Sequence, residues 1–340
     1  MKFVFRTLFV LVLAGVLAVG VLGGMAYISN KPPADSDSIA VFTVYKGESV
    51  RNVARRLKEG NLIKAELFLR AYAKLKRTEA SFLAGSYRIE AGSTGAQIHN
   101  ILVSGREILQ KVTVPEGWPS SRIGELLEEH EIISKDDFME AMHDPDLLGE
   151  LGVSAGNAEG FLYPDTYHMP KGYPAEKVVA HMVNRFFQVF AEISSGKQPH
   201  DFPELYNIVI LASIIEREYV VPDEAPKMAS VFYNRLARDM KLQSCATVAY
   251  VLTEELGYEH PDYLTLRDLE VESDYNTYLY AGIPPGPIGN PGRTALEAAI
   301  YPAQTEFLFF VLKNQSSGEH EFTRSYDQHL DAKSLFLKKS

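Results

Sequence analysis

The chain has 340 residues, 46% of them hydrophobic and 23% charged, with a net charge of −10 at neutral pH, enough for two or three domains around a large core. That acidic balance excludes a nucleic-acid binder, whose phosphate contacts need clustered Lys and Arg. The one cysteine, Cys245, excludes an internal disulfide and a cysteine-based zinc site, and no two of the nine histidines sit at i, i+3 or i+4, so no metal or cofactor is expected.

At the N-terminus, Lys2 and Arg6 precede a charge-free run that ends at Lys31, and residues 8–28 are nearly all apolar. About 20 such residues span a bilayer. The basic residues ahead of the run predict a cytoplasmic N-terminus and an exported body. Residues 1–30 are therefore read as a cytoplasmic tip and transmembrane anchor, and 31–38 (KPPADSDS) as a linker. A cleaved signal peptide is the competing reading, because Gly24-Met25-Ala26 has the small-x-small pattern of a cleavage site. The apolar run is longer than a usual signal-peptide core, which favours the anchor. Gly20 and Gly24 form a GxxxG pair, read here as part of a Gly-rich anchor rather than a dimer contact.

Residues 41–45 alternate as a strand, and 47–57 turn helical with Val50, Val53, Ala54 and Leu57 on one face. A second helix is expected over 65–75, a strand with a Gly turn over 82–89, and a short helix over 94–102. The stretch V-x-K-G-E-S-V at 44–50, followed by an amphipathic helix, resembles a LysM-like module, a kind that grips amino-sugar polymers. Residues 39–108 are assigned to it, with a packing domain without ligand as the alternative.

Residues 112–114 read as a strand, and Pro115 to Pro119 as a turn carrying the only tryptophan, Trp118. Ser120 or Ser121 is the expected cap of the helix that runs through Glu129. Trp118 beside Glu116 could stack on a sugar ring or fill a domain interface. Another short helix is expected over 136–143. Gly152, Ser154 and Gly156 match G-x-S-x-G, but a nucleophile elbow needs a strand before it and a helix after it, and neither is predicted. The stretch Glu159-Gly160-Phe161-Leu162-Tyr163-Pro164-Asp165-Thr166-Tyr167 offers aromatics and carboxylates, the materials of a carbohydrate cleft. A packed strand and turn is its other reading. A long amphipathic helix is expected over 175–193.

The stretch ELYNIVILASIIERE, 204–218, follows as an apolar helix that ends on Glu216, Arg217 and Glu218. A helix that apolar is buried on most sides, and buried carboxylates are rare unless paired or working. At about 100° per residue the two glutamates point roughly 200° apart. Glu218 then continues a large-apolar stripe with Leu211, Ile214 and Ile215, where desolvation would raise its pKa. That makes Glu218 the candidate general acid, and Glu216 a partner of Arg217 or of a backbone group. An ordinary solvated helix end is the alternative. Beyond it, helices are expected over 224–236, 242–252, 293–300 and 327–336. A hairpin is expected from 307–312 and 320–323, and a rigid Pro- and Gly-rich segment over 282–288.

Six motifs in order, GFLYPDTY, ASIIERE, K-x-ASVFYNRL, LQS, YNTY and GIPPGPI, resemble endolytic murein transglycosylases of the YceG-like family over essentially the whole chain. The resemblance implies an α+β chain: the transmembrane anchor, the LysM-like module, and a helix-rich catalytic domain over 109–340 with a lysozyme-like cleft. It implies cleavage of nascent peptidoglycan strands at MurNAc–GlcNAc bonds, leaving 1,6-anhydro-MurNAc ends, in the periplasm of a single-pass inner-membrane protein. Peptidoglycan synthases are candidate partners. By position the family's catalytic glutamate falls on Glu218. Gln243, Tyr275, Asn276, Thr277, Tyr278, Glu159 and Tyr163 are the candidates for holding substrate, and Glu216, Asp165, Asn234 and Arg235 for support. Two departures stand out. Tyr219 follows Glu218 where lytic transglycosylases more widely have Ser or Thr, and Ser244-Cys245-Ala246 replaces an Asp-Pro-containing turn. A noncatalytic peptidoglycan scaffold and a hydrolytic muramidase are the competing functions.

Overall fold

A computed structural model describes residues 2–33, 39–45, 47–105, 108–196, 198–261 and 263–336. Residues 34–38 of the expected linker and Lys46 of the LysM-like stretch lie outside them. The chain divides into two compact units, residues 1–110 and 111–340.

The first unit opens with α1 (Lys2–Asn30), whose segment Leu11–Asn30 has a mean hydropathy of 2.3 and is long and apolar enough to cross a membrane. Then come β1 (Ala40–Val44), α2 (Val50–Glu59), α3 (Glu66–Lys76), β2 (Gly85–Ile89) and α4 (Gly95–Ser104). Strands β1 and β2 pair antiparallel, with Phe42 opposite Tyr87. Helix α2 starts later than the sequence suggests. Gly47 sits at φ +76°, and Ser49 takes the cap by accepting the Asn52 N–H. Thr94 and Gln97 close a capping box on α4. Phe42, Val53, Leu57, Leu69, Tyr87 and Ile98 form the unit's core.

The second unit runs through β3 (Leu109–Thr113), α5 (Ser120–Glu129), α6 (Lys135–Ala141), α7 (Pro145–Glu150), β4 (Thr166–Pro170), α8 (Ala175–Ile193), α9 (Phe202–Glu216), α10 (Ala225–Leu236), α11 (Cys245–Tyr250), α12 (Arg293–Ile300), β5 (Phe309–Asn314), β6 (Glu319–Thr323) and α13 (Tyr326–Phe336). Its sheets are two-stranded, β3 with β4 and the antiparallel hairpin β5–β6, so helices carry the core. The architecture is a helix-rich α+β fold.

Helix α9 is the buried axis of this unit. Asp201 caps it by accepting the Glu204 N–H at 3.0 Å. Residues 209–215 are all buried, and the helix packs on α10 and α12. It ends at Glu216, two residues before the expected end. The Arg217 N–H bonds to Ile214 O and the Glu218 N–H to Ile215 O, both at 3.0 Å, so the chain tightens to i→i+3 geometry before Glu218.

Two further expectations are corrected. The cap of α5 is Pro119, without a side-chain bond; Ser120 and Ser121 instead donate to the distant carboxylates of Glu159 and Glu254, both at 2.5 Å. Helix α11 begins at Cys245 rather than 242 and runs into a π-helical turn over Val251–Glu255. Gly152 to Gly156 follow α7 as loop, without the strand–turn–helix of a nucleophile elbow.

Gly160 marks where the GFLYPDTY segment meets α9. Its φ is +84°, and a Cβ there would lie 2.5 Å from Pro287 Cγ and 2.7 Å from Val209 Cγ1. Gly160→Ala is expected to cost about 3 kcal/mol, from overpacking and a left-handed backbone together. Urea unfolding measures it, and an unchanged midpoint would contradict this packing.

Candidate active site

Glu218 lies two residues beyond α9, where the start of α11 meets it. Its Oε1 accepts the Ser244 hydroxyl at 2.5 Å, and the Ala246 N–H also donates to the carboxylate. Ser244 is the N-cap residue of α11, yet its side chain makes no capping bond to its own helix. Burial raises the Glu218 pKa above the usual carboxylate range, against the opposing pull of Ser244, the Ala246 N–H, Arg217 and Arg235. Part of the residue remains solvent-accessible. A carboxyl that is desolvated yet reachable can hold a proton near neutrality and pass it to a ligand.

The loop that delivers Ser244 is pinned from both sides. Thr277 Oγ1 accepts the Ser244 N–H at 3.0 Å and lies 2.9 Å from Thr247 Oγ1, which donates to Ser244 O at 2.8 Å. Arg235 Nη1 donates to the carbonyls of Lys241 and Leu242 at 3.1 and 2.8 Å, while its Nε holds Leu308 O at 2.7 Å. Asn234 Nδ2 donates to Thr305 O and Phe307 O. Gln243 takes φ +52°, and its N–H donates to Thr277 O at 3.1 Å. Gln243 and Cys245 are exposed and Tyr278 half-buried; Cys245 Sγ lies 3.1 Å from Tyr278 OH. Burial raises the Cys245 thiol against the pull of its Tyr278 hydrogen bond, and the Glu218 charge adds to the rise.

Several sequence candidates lie elsewhere. Asn276 is fully buried: its Nδ2 donates to Leu269 O and Val271 O, and its Oδ1 accepts the Tyr278 N–H. Thr277 is also buried, so both shape the loop from within. Tyr275 packs on Tyr250 with ring centroids 4.9 Å apart. Glu159 is 6% exposed and is held by the Ser120 N–H, the Ser120 hydroxyl and Asn290 Nδ2 at 2.7 Å. Tyr163 and Tyr167 are buried, and Tyr167 OH donates to Tyr163 O. The GFLYPDTY aromatics are therefore core rather than cleft wall. Asp165 pairs with Arg185 Nε at 2.8 Å.

The expected contrast between the two ERE glutamates is also corrected. Burial raises Glu216 to about 7 as well. Its Oε2 accepts the Gly292 N–H at 2.8 Å and its Oε1 the Tyr219 hydroxyl at 3.1 Å. It thus takes a backbone group, not Arg217. The Glu218 contact that sequence reasoning missed is Ser244; the L-Q-S motif was its signal.

A cavity of about 920 Å³ has Arg217 in its wall, with Trp118, Arg122 and Glu254. Among the described residues no group of three or more His, Cys, Asp or Glu is arranged to hold a metal. The model of the YceG-like family matches residues 42–334. The chain belongs to the YceG-like family. It is 30% identical over 321 residues to a Bacillus subtilis protein named endolytic murein transglycosylase, covering 89% of this chain and 86% of that one. A Streptococcus pneumoniae protein of the same name is 25% identical, over 94% of this chain and 63% of its own length. The crystal structure of a YceG-like protein from Listeria monocytogenes matches with a TM-score of 0.56 at 29% identity, over 87% of this chain and 99% of that one.

Two titrations test the site of this YceG-like chain. Ser244→Ala removes a donor that favours the ionised form, so the Glu218 titration, followed by carboxyl ¹³C NMR, moves to higher pH; Ser244→Thr restores it. An unmoved titration would contradict the contact. Glu159 is raised from 4.5 to about 7 by burial, so the folded state keeps a proton that the unfolded chain releases. Stability then falls by on the order of 3 kcal/mol as pH rises from about 4.5 to about 7. Glu159→Gln flattens that fall in urea midpoints taken across the window; an unchanged slope would mean that Glu159 is ionised throughout.

Proposed function

We propose that this chain is a membrane-anchored endolytic peptidoglycan lytic transglycosylase that uses Glu218 alone as its acid and then its base. The observation that carries the reading is the Glu218 carboxyl, raised by burial yet reachable, held by Ser244 and Ala246. The name shared by the Bacillus and Streptococcus relatives supports the substrate. Lys2 and Arg6, in α1 ahead of its apolar segment, support a cytoplasmic N-terminus with the body outside. The LysM-like stretch supports a glycan-gripping role for the first unit.

In this mechanism protonated Glu218 gives its proton to the oxygen of the MurNAc–GlcNAc bond as the C1–O bond breaks. The N-acetyl oxygen of the MurNAc shields the positive charge that grows at C1. The Glu218 carboxylate then takes the proton of the C6 hydroxyl while its oxygen closes on C1. The product ends in 1,6-anhydro-MurNAc, and Glu218 is protonated again. Ordinary glycosidases divide this work between two carboxylates. A single group can do both when its pKa lies near ambient pH. Ser244 and the positive charges of Arg217 and Arg235 favour the carboxylate formed midway. Gln243 and Tyr278 are the accessible polar groups beside it for the sugar's acetamido and hydroxyl groups.

Digestion of isolated murein, read by mass spectrometry, tests the proposal. Anhydro ends are expected, reducing ends would indicate a hydrolytic muramidase, and intact strands a scaffold. Glu218→Gln is expected to lose about 10²–10⁴-fold in rate while remaining folded, and Glu216→Gln to lose less. Wild-type cleavage by the Glu218 variant would end the assignment.

A further inference from the structure

We propose that the cavity between Trp118 and Glu254 is a subsite for the peptide stem that peptidoglycan carries on the lactyl group of MurNAc, with Arg122 and Arg217 receiving its carboxylates. The proposal rests on the peptidoglycan reading above. At about 920 Å³ the cavity falls within the range of ligand pockets, roughly 300–1,000 Å³. Arg217 is the residue before Glu218, so a peptide bound here hangs from a sugar at or next to the scissile bond.

Glu218 and Glu254 are the negative charges that act on Arg217. Arg217 donates to Gly117 O and towards His260 Nε2, each at a long 3.4 Å. Arg122 lies over the Trp118 ring at 4.4 Å. Among the described residues neither forms an ion pair. Burial lowers the Arg217 pKa, and the charge of Arg122 lowers it further. Two guanidinium groups in one wall suit a shared carboxylate taken in forked geometry.

Of the wall's four acidic residues, Glu116, Glu125, Glu254 and Glu259, two are already bonded. Glu254 accepts the Ser121 hydroxyl at 2.5 Å, and Glu125 pairs with Lys135 at 2.7 Å. Glu116 turns towards Gly292, where a Cβ would fall 2.2 Å from its Cδ. The wall therefore offers both signs of charge around two guanidinium groups that form no ion pair among the described residues. That pattern fits a peptide carrying an amine and carboxylates better than it fits a simple anion.

The test compares glycan strands that carry stems with strands stripped of them by an amidase. Arg122 is exposed, so its variants are expected to fold. Arg122→Gln is expected to lose about tenfold in kcat/KM on stem-bearing strands, the worth of one charge-assisted hydrogen bond. The loss falls mainly in KM, and stripped strands are cut as before. Arg122→Lys, which keeps charge but not the planar fork, restores part of it. Equal loss on both substrates, or loss on neither, overturns the proposal. Calorimetric binding of a disaccharide–tetrapeptide separates this outcome from failure of the catalytic reading. The peptide-bearing ligand is expected to bind wild type about tenfold more tightly than Arg122→Gln. A disaccharide without peptide that binds wild type equally well also overturns it.

Discussion

The bond from the Ser244 hydroxyl to Glu218 joins the end of one element to the start of another, 26 residues apart, and the rest of the second unit fixes its two ends. On one side, α9 is immobilised by burial along its length between α10 and α12. On the other, Arg235 at the end of α10 grips the carbonyls of residues 241 and 242, and Thr277 holds the Ser244 N–H. A carboxyl out of water is tolerable only when its bonds are supplied by groups that cannot drift away. Here one donor is the N-cap residue of α11 and the other lies in its first turn, so the cost of burying Glu218 is carried by the packing of helices.

Burial alone does not single out the reactive group. Glu159, Glu216 and Glu218 are all pushed upward by desolvation. Their hydrogen-bond partners separate them. Glu159 ties α5 to the Asn290 loop through Ser120 and Asn290. Glu216 ties α9 to Gly292 and Tyr219. Each bridges structure on both oxygens. Glu218 is held from the α11 side, with exposed Gln243 and Cys245 flanking that contact. The first two are struts; Glu216 and Glu218 are both half-buried, so it is their partners and not their exposure that set Glu218 apart.

Regular periodicity was readable from sequence, and long-range polar bonding was not. The bounds of α8 and α12 follow from apolar spacing and its interruptions. The end of α9 does not, because an apolar run says where a helix is buried and not where its backbone tightens. Ser120 and Ser121 look like caps because local capping is the usual use of such residues. Their acceptors lie 39 and 133 residues away. The aromatics of GFLYPDTY present the same chemistry to a sugar as to a core, and only packing decides between the two. The N-terminal apolar helix was legible because twenty residues of high hydropathy, uninterrupted by charge, are long and apolar enough to cross a membrane.

Tyr219 and Ser244 are explained together. A hydroxyl directly after the glutamate is the wider pattern of lytic transglycosylases, and this chain has a phenol there whose hydroxyl donates to Glu216 instead. The hydroxyl at Glu218 arrives from Ser244, across the fold and from a different helix. What a buried acid needs is a donor at bonding distance that turns with its change of charge, and a serine at the head of α11 meets that need as well as a neighbour in sequence would. The same stretch seats Cys245 against Tyr278, and its helix start brings Ser244 and the Ala246 N–H to one carboxylate. The constraint therefore falls on where the donor stands, not on which segment carries it.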